Sequence, residues 1–247
     1  MNFEIIPTPH LPIGKVCHLL CGSIAKELQD SLLQYVDSLI ITEREPKVEP
    51  SLQSHADIAA CPLPGEKIII SKEQLFLKEK LISLGFYVIM QDDVRSPYPN
   101  DCLLNFINTQ HYSIYNKEIH KYALFQQNDK CLSTKQGYVK CSVAPIAHNA
   151  ILTDDPGIAG AAEQNNVQVC FVAKGDIRLS GYDYGFIGGC CGKLSEHELA
   201  FCGNLESHRD HKKIAAFLNR YDIKPINLLD AQLTDVGSLI PLTQEKG

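Results

Sequence analysis

Short apolar, β-rich runs alternate along this chain with stretches whose apolar residues recur at helical spacing. Residues 16–20 predict a strand, followed by a helix opened by Ser23 and ending near Tyr35. In it Glu27, Leu28, Leu32, Leu33 and Val36 divide polar and apolar faces, and 38–42 predict the next strand. The charged, Pro-bearing segment 43–50 predicts a loop. From His55 a strand runs through Cys61 to a turn at 62–65. A second strand follows at 67–70, then a helix capped by Ser71 and stopped by Gly85, then a third strand at 86–90. The next unit predicts strands at 102–107 and 112–115, a helix at 117–127 and a strand near Cys131. Strands at 139–146, 150–153 and 167–173 flank a helix opened by Asp154-Asp155-Pro156, with Pro suited to the first turn and carboxylates to the positive helix end. Strands at 184–189, 198–202 and 225–228 accompany a helix at 207–221, and 235–242 predict a lone first strand.

One pattern marks the start of each unit: a turn, often with an Asp, then an apolar or small-residue strand. Its five copies read Ser54-His55-Ala56-Asp57-Ile58, Asn100-Asp101-Cys102-Leu103-Leu104, Val139-Lys140-Cys141-Ser142-Val143, Tyr182-Asp183-Tyr184-Gly185-Phe186 and Thr234-Asp235-Val236-Gly237-Ser238. A period of roughly 40 to 50 residues indicates a propeller or solenoid. In a closed ring, equivalent positions meet near the axis. The lone last strand lacks the strand, helix and strand that the N-terminus supplies. The expected architecture is therefore α/β: a single domain over 1–247, a five-bladed α/β propeller of pseudo-fivefold ββαβ units closed by the N- and C-terminal segments.

Composition narrows the function. A net charge of −6, a pI near 5.8 and the lack of a Lys/Arg run argue against nucleic acid as partner. The start has no basic stretch followed by an apolar one, and no run approaches ~18 apolar residues, so no membrane partner and a cytoplasmic location are expected. Ten cysteines in such a chain read as free thiols. Cys61, Cys102, Cys131, Cys170 and Cys202 lie beside apolar residues, where Cys acts as a small buried hydrophobe.

Five strand–strand–helix–strand units, together with the stretch from Gly175-Asp176-Ile177-Arg178 through Gly181-Tyr182-Asp183-Tyr184 to Gly188-Gly189, resemble the guanidino-group-modifying superfamily over about residues 10–245. That superfamily includes arginine deiminases, dimethylargininases, agmatine deiminases and amidinotransferases, and the chain looks closest to its small bacterial members. The resemblance implies a Cys thiolate that attacks a guanidinium carbon, a His that moves protons and two acidic residues that hold the cation. A guanidinium is planar and charged at neutral pH, so carboxylates match it. Carboxylates also keep a neighbouring thiol protonated until the cation arrives. The chain departs from the pattern twice. The last repeat, Asp235-Val236-Gly237-Ser238-Leu239-Ile240-Pro241-Leu242, has no Cys before its Pro-Leu pair, and the His-Leu-Asp motif has only Gly181-Tyr182-Asp183 as its counterpart.

Cys141 is the substitute nucleophile, with Lys140 beside it to lower the thiol pKa, although adjacent strand residues point to opposite faces. Its plainer reading is a small core residue. His55 and Asp57, two apart on a predicted strand, share a face as general base and carboxylate; the alternative is a turn His beside a turn Asp. Asp183 and Asp235 occupy the register of Asp57 and either hold a cation or cap turns, and Asp101 belongs to an irregular repeat. The assignment is Cys141, His55 and Asp183 as catalytic residues, and Asp57, Asp101, Asp235, Tyr182 and Lys140 as substrate-binding residues, with no metal ligand and no cofactor. Ser238 has no identifiable base. Cys190-Cys191 between glycines fits a tight turn better than a redox pair, and 189–193 lacks the residues of a phosphate loop. Cys17, His18 and Cys21 have no second ligand pair, and His197, His208 and His211 read as exposed.

Two readings from different classes remain. One is a hydrolase or transferase acting on a non-peptide C–N bond of a guanidino or amidino compound through a Cys nucleophile. The other is a non-catalytic protein holding a cationic small molecule or a partner in a carboxylate-lined central pocket. A divalent-metal site built from the Asp ring and His55 is a more remote third.

Overall fold

The computed structural model describes residues 2–120 and 130–246. Its strands form five small sheets around a ring. Blade one holds β4 (Ala60–Leu63), β5 (Lys67–Ser71) and β6 (Tyr87–Gln91); blade two holds β7 (Ile107–Asn108), β8 (Ser113–Tyr115) and β9 (Cys131–Ser133). Blade three holds β10 (Val143–Ala147), β11 (Ala150–Thr153) and β12 (Gln168–Phe171), and blade four holds β13 (Cys191–Ser195), β14 (Glu198–Phe201) and β15 (Lys224–Asn227). In each, the first two strands are antiparallel and the third lies parallel to the second. A parallel pair needs a crossover, supplied by α3 (Leu75–Ser83), α5 (Pro156–Gln164) and α6 (His211–Asn219) in blades one, three and four. Blade five joins the chain ends. C-terminal β16 (Ile240–Glu245) pairs with β1 (Phe3–Ile5) and β2 (Val16–Cys21), and α1 (Lys26–Leu32) leads from β2 to β3 (Ser38–Ile41).

The second strands explain the ring. Ile68-Ile69-Ile70, Ala150-Ile151-Leu152 and Leu199-Ala200-Phe201 are continuous apolar runs, the pattern of strands buried on both faces. Alternate side chains point opposite ways, so Ile68 and Ile70 pack toward blade five while Ile69 packs toward blade two. Likewise Ile151 faces blade two, and Ala150 and Leu152 face blade four. A fifth cluster joins blade four to blade five through Leu194, Ala200, Leu19 and Cys21. Consecutive blades therefore share apolar clusters all the way round, and the chain ends close the circle.

Several boundaries differ from the sequence expectation. The strand expected from His55 is a helical turn, α2 (Ala56–Ala59), leading into β4; likewise α4 (Val139–Ser142) leads into β10. Small or apolar runs of four residues fit either state, because periodicity needs more length to decide. Residues 184–189 are not a strand. Blade four starts instead at β13, which contains Gly192, where a Cβ would stand 2.1 Å from the Leu239 carbonyl oxygen. Strand β7 is shorter than expected, and the helix expected over 117–127 falls largely outside the described residues. Neither Ser23 nor Ser71 caps a helix. Helix α1 follows Ala25, and Ser71 ends β5 with its hydroxyl donating to Glu45 at 2.9 Å. Asp155 does cap α5, accepting from Ile158 N at 2.9 Å with Pro156 in the first turn. No helix among the described residues is long and apolar enough to cross a membrane.

Candidate active site

Each first strand is approached through a tight turn near the axis, and these turns build the site. The turn into β4 carries Asp57, the segment into β7 carries Asn105, and the turn into β10 carries Lys140 and Cys141. The turns into β13 and β16 carry Gly188-Gly189 and Gly237-Ser238. The Cys141 thiol donates to Asp57 Oδ2 at 3.1 Å, and Asn105 Nδ2 donates to Cys141 Sγ at 3.1 Å. Asn105 Oδ1 also accepts from Cys141 N at 3.1 Å, so one amide fixes both ends of the cysteine. Ser238, in the left-handed region at φ +72°, donates its hydroxyl to Asp57 Oδ2 and in turn accepts from Lys140 Nζ at 3.0 Å. Lys140 Nζ also donates to the Gly188 carbonyl at 3.3 Å. A buried chain thus runs Lys140, Ser238, Asp57, Cys141, Asn105.

His55 flanks this chain. One of its ring nitrogens, an Asp57 carboxylate oxygen and Cys141 Sγ lie within 4.8 Å of one another. Its Nδ1 stands 4.0 Å from Asp235 Oδ1. Asp235 accepts from Phe186 N and Gly237 N, both at 2.9 Å. Gly237, at φ +76°, lets the His55 ring lie against it, because a Cβ there would be 2.3 Å from His55 Cβ.

A cavity of about 280 Å³ opens onto this group. His55, Cys141 and Asp235 line it, walled by Leu52, Ile58, Tyr138, Leu179, Tyr184 and Phe186, with Tyr182 and Asp183 alongside. Burial pushes the Cys141 thiol well above its ordinary range, and the Asp57 and Asp235 carboxylates push it further; only the Asn105 amide opposes them. Burial likewise raises the Asp235 carboxyl, helped by Asp57 and countered by His55 and two backbone N–H groups. The resting site therefore holds a thiol rather than a thiolate.

The structure brings Cys141, His55, Asp57 and Asp235 together. Tyr182 and Asp183 are exposed, and the Tyr182 hydroxyl donates to Glu49. Lys140 lies beneath the thiol, outside the lining of the cavity. Asp101 is buried elsewhere, hydrogen-bonded with Tyr138 and raised by burial. Its repeat aligns on Asn105, four residues further on, which the sequence reading missed; an amide just ahead of a strand carries no signal of its own. Ser238 touches Asp57, not the cavity. Cys190 and Cys191 each donate to the Ile187 carbonyl, and His18 pairs with Thr243 at 2.7 Å. His208 is buried rather than exposed, bonded to Ala173 O and Asp210 N. Of the five cysteines expected inside, Cys131 is exposed.

Comparison with known proteins places this fold. Residues 19–240 match a family described as a family of unknown function (DUF6873). No curated protein sequence matches the chain. Among solved structures it resembles the inosamine-phosphate amidinotransferase StrB1 from Streptomyces griseus, with a TM-score of 0.59, 10% identity and coverage of 99% of this chain and 98% of that one. It resembles the agmatine deiminase of C. jejuni, with a TM-score of 0.56, 8% identity and coverage of 99% and 97%. It also resembles SxtG, an amidinotransferase of saxitoxin biosynthesis from Microseira wollei, with a TM-score of 0.52, 10% identity and 92% of each chain covered. The chain shares with these three structures one fold, the five-bladed α/β propeller.

Proposed function

We propose that this chain, which belongs to the family of unknown function DUF6873, breaks a non-peptide C–N bond of a small guanidino or amidino cation with Cys141 as nucleophile. The observation that carries this reading is a buried thiol hydrogen-bonded to a carboxylate, with an imidazole and a second carboxylate on the same cavity. Asp235 holds the planar cation from the cavity wall, Asp57 behind Cys141 supplies the second negative charge, and the faces of Tyr138, Tyr184 and Phe186 suit its flat, weakly hydrated surface. Asp183 and Tyr182 contact it from the outer end. Asp101 has no part in this, and Lys140 acts on Asp57 from beneath.

The cation triggers the chemistry. Its positive charge offsets the two carboxylates that keep the thiol protonated, so the thiol proton passes to His55 and the thiolate attacks the amidino carbon. The tetrahedral adduct expels an amine, which takes the proton from His55 and leaves an S-linked amidinium on Cys141. Water, or an acceptor amine in a transferase, gives a proton to His55 and attacks the same carbon. The thiolate then leaves and recovers its proton. No cofactor enters these steps. A reducing cytosol suits a nucleophile among ten unpaired cysteines.

Labelling with 2-chloroacetamidine tests the reading, with neutral iodoacetamide as reference. The amidine should modify Cys141 faster than the amide does, and Cys141→Ala should abolish release of ammonia or urea from arginine, agmatine and related compounds. Labelling spread over exposed cysteines such as Cys131, or turnover surviving in Cys141→Ala, defeats it. Thermal stabilisation by these cations without turnover assigns the pocket to binding.

A further inference from the structure

We propose that His55, Asp57 and Cys141 also form a site for one soft divalent ion of the zinc class, whose binding occupies the thiol and excludes the cationic substrate. The proposal uses the pocket of the reading above but does not depend on turnover. One donor atom from each residue lies within 4.8 Å of the other two, and all three side chains are buried. Ligands on one tetrahedral zinc, at about 2.3 Å for sulfur and about 2.0–2.2 Å for nitrogen or oxygen, stand about 3.3–3.8 Å apart. Cys141 Sγ and Asp57 Oδ2 are already 3.1 Å apart, and no donor separation has to shrink by more than about 1.5 Å to close round an ion.

A second observation points to a ligand. Asp57 Oδ1 and His55 Nδ1 are buried and have no hydrogen-bond partner, although both residues are otherwise packed among polar groups. Buried polar atoms nearly always find a partner, and each exception calls for a reason. A cation bound between them supplies one.

The surroundings fit as well. Ser238 fixes Asp57 Oδ2, and Asn105 donates to Cys141 Sγ. Such outer contacts orient ligands and tune their basicity. His55 and Cys141 both line the cavity, so the fourth position of the ion opens toward it. Three protein ligands and an open position describe an exchangeable site, not a closed structural one. Sulfur and imidazole select zinc-class ions over magnesium or calcium.

On binding, the Cys141 thiol releases its proton to solvent and no electron moves. The two positive charges of the ion are met by the thiolate and the Asp57 carboxylate. A guanidinium needs the same carboxylate and the same space, so the two occupants exclude each other. This set differs from an aspartate ring: Asp101 and Asp183 have no place in it, and the thiol supplies the selectivity.

Cobalt reports the site directly, because a cobalt–thiolate bond gives a charge-transfer absorption band. Protein stripped with chelator and titrated with Co²⁺ should bind one ion per chain, show that band, and lose it on addition of Zn²⁺. Cys141→Ser, which keeps the side-chain shape, should remove the band although nine other cysteines remain. His55→Ala and Asp57→Asn should weaken cobalt binding at least tenfold. Asn105→Ala, acting from outside, should keep the band with affinity lowered about tenfold. Zinc should also slow alkylation of Cys141 by iodoacetamide. Cobalt binding without a thiolate band, or a band unchanged in Cys141→Ser, overturns the proposal. A protein that shows the band but turns over nothing leaves this site standing and sinks only the catalytic reading, whereas turnover without the band does the reverse.

Discussion

The turns that lead into blades one and three point Asp57 and Cys141 at one another, whereas those that lead into blades four and five offer Gly188-Gly189 and Gly237-Ser238 at the corresponding places. The two pairs do different work. A Cβ on Gly189 would stand 2.1–2.5 Å from atoms of the Asp235 carboxylate, one on Gly188 would meet the Val143 and Lys140 carbonyls at 2.3–2.4 Å, and one on Gly237 would strike His55. The glycine turns are moulds: they leave room for side chains of other blades and present carbonyls and one hydroxyl to hold them. A five-fold repeat thus yields an asymmetric site: the turns into blades one and three carry the imidazole, the thiol and one carboxylate, and the glycines of the turns into blades four and five leave the space that His55 and Asp235 occupy.

The largest expected effect breaks the reactive half. Asp57→Asn keeps the shape and removes one charge. Turnover of an amidino substrate should fall about a thousandfold, equivalent to about 4 kcal/mol, because the cation loses a carboxylate partner. The thiol should respond in the opposite direction. Asp57 pushes its pKa up, so without that charge the thiolate fraction rises and neutral iodoacetamide should react faster at pH 8. A rate of alkylation that falls together with turnover would mean that Asp57 helps to ionise the thiol, contrary to the electrostatics.

The next effect lies in the glycine half. Asp154 of blade three accepts from Ile187 N at 2.8 Å and so pins the turn 187–190. Burial pushes its carboxyl up to about 7, against the pull of the Ile187 N–H and Lys174 and with help from Asp235 and Asp155. For a carboxyl whose folded pKa exceeds its unfolded value near 3.8, the native state holds the proton more tightly. The stability it contributes is complete below about 3.8 and is lost as pH rises through about 7. Asp154→Asn, which can still accept from Ile187, should remove a decline of up to about 4 kcal/mol between pH 4 and pH 8. Urea unfolding at several pH values measures it, and parallel curves for the two proteins would refute it.

Much of the frame was legible, and the reason lies in particular residues. Ile68-Ile69-Ile70 and Leu199-Ala200-Phe201 read as strands from their place between turn and helix signals, Asp155-Pro156 opens a helix by its own chemistry, and the lone last strand demanded partners from the N-terminus. The ring follows from those features. The turns were not legible, since Ala56–Ala59 and Val139–Ser142 are each one helical turn and carry no period. His55 and Asp57 were paired on the geometry of a strand, but they meet round a helical turn. The repeat was also aligned on aspartates, while the structure aligns it on turns. That substitution draws in Asp101 and Asp183 and leaves out Asn105, whose role depends wholly on the blade that faces it.

The comparison is sharpest between two glycines. If the glycine turns serve as moulds, Gly189→Ala should destabilise the fold by about 3 kcal/mol, since the methyl group must displace the Asp235 carboxylate from Phe186 N and Gly237 N. Gly160 lies within α5 with no atom inside 4 Å of its missing Cβ. Gly160→Ala relieves the flexibility that glycine brings to a helix and should stabilise by about 0.5–1 kcal/mol. Thermal unfolding of the two variants side by side should therefore move in opposite directions. Equal losses would mean that a methyl group at 189 is accommodated without moving the Asp235 carboxylate. Gly189→Ala should then leave Asp235 in place and cation binding intact, and the division of the ring into reactive and receiving turns would fail.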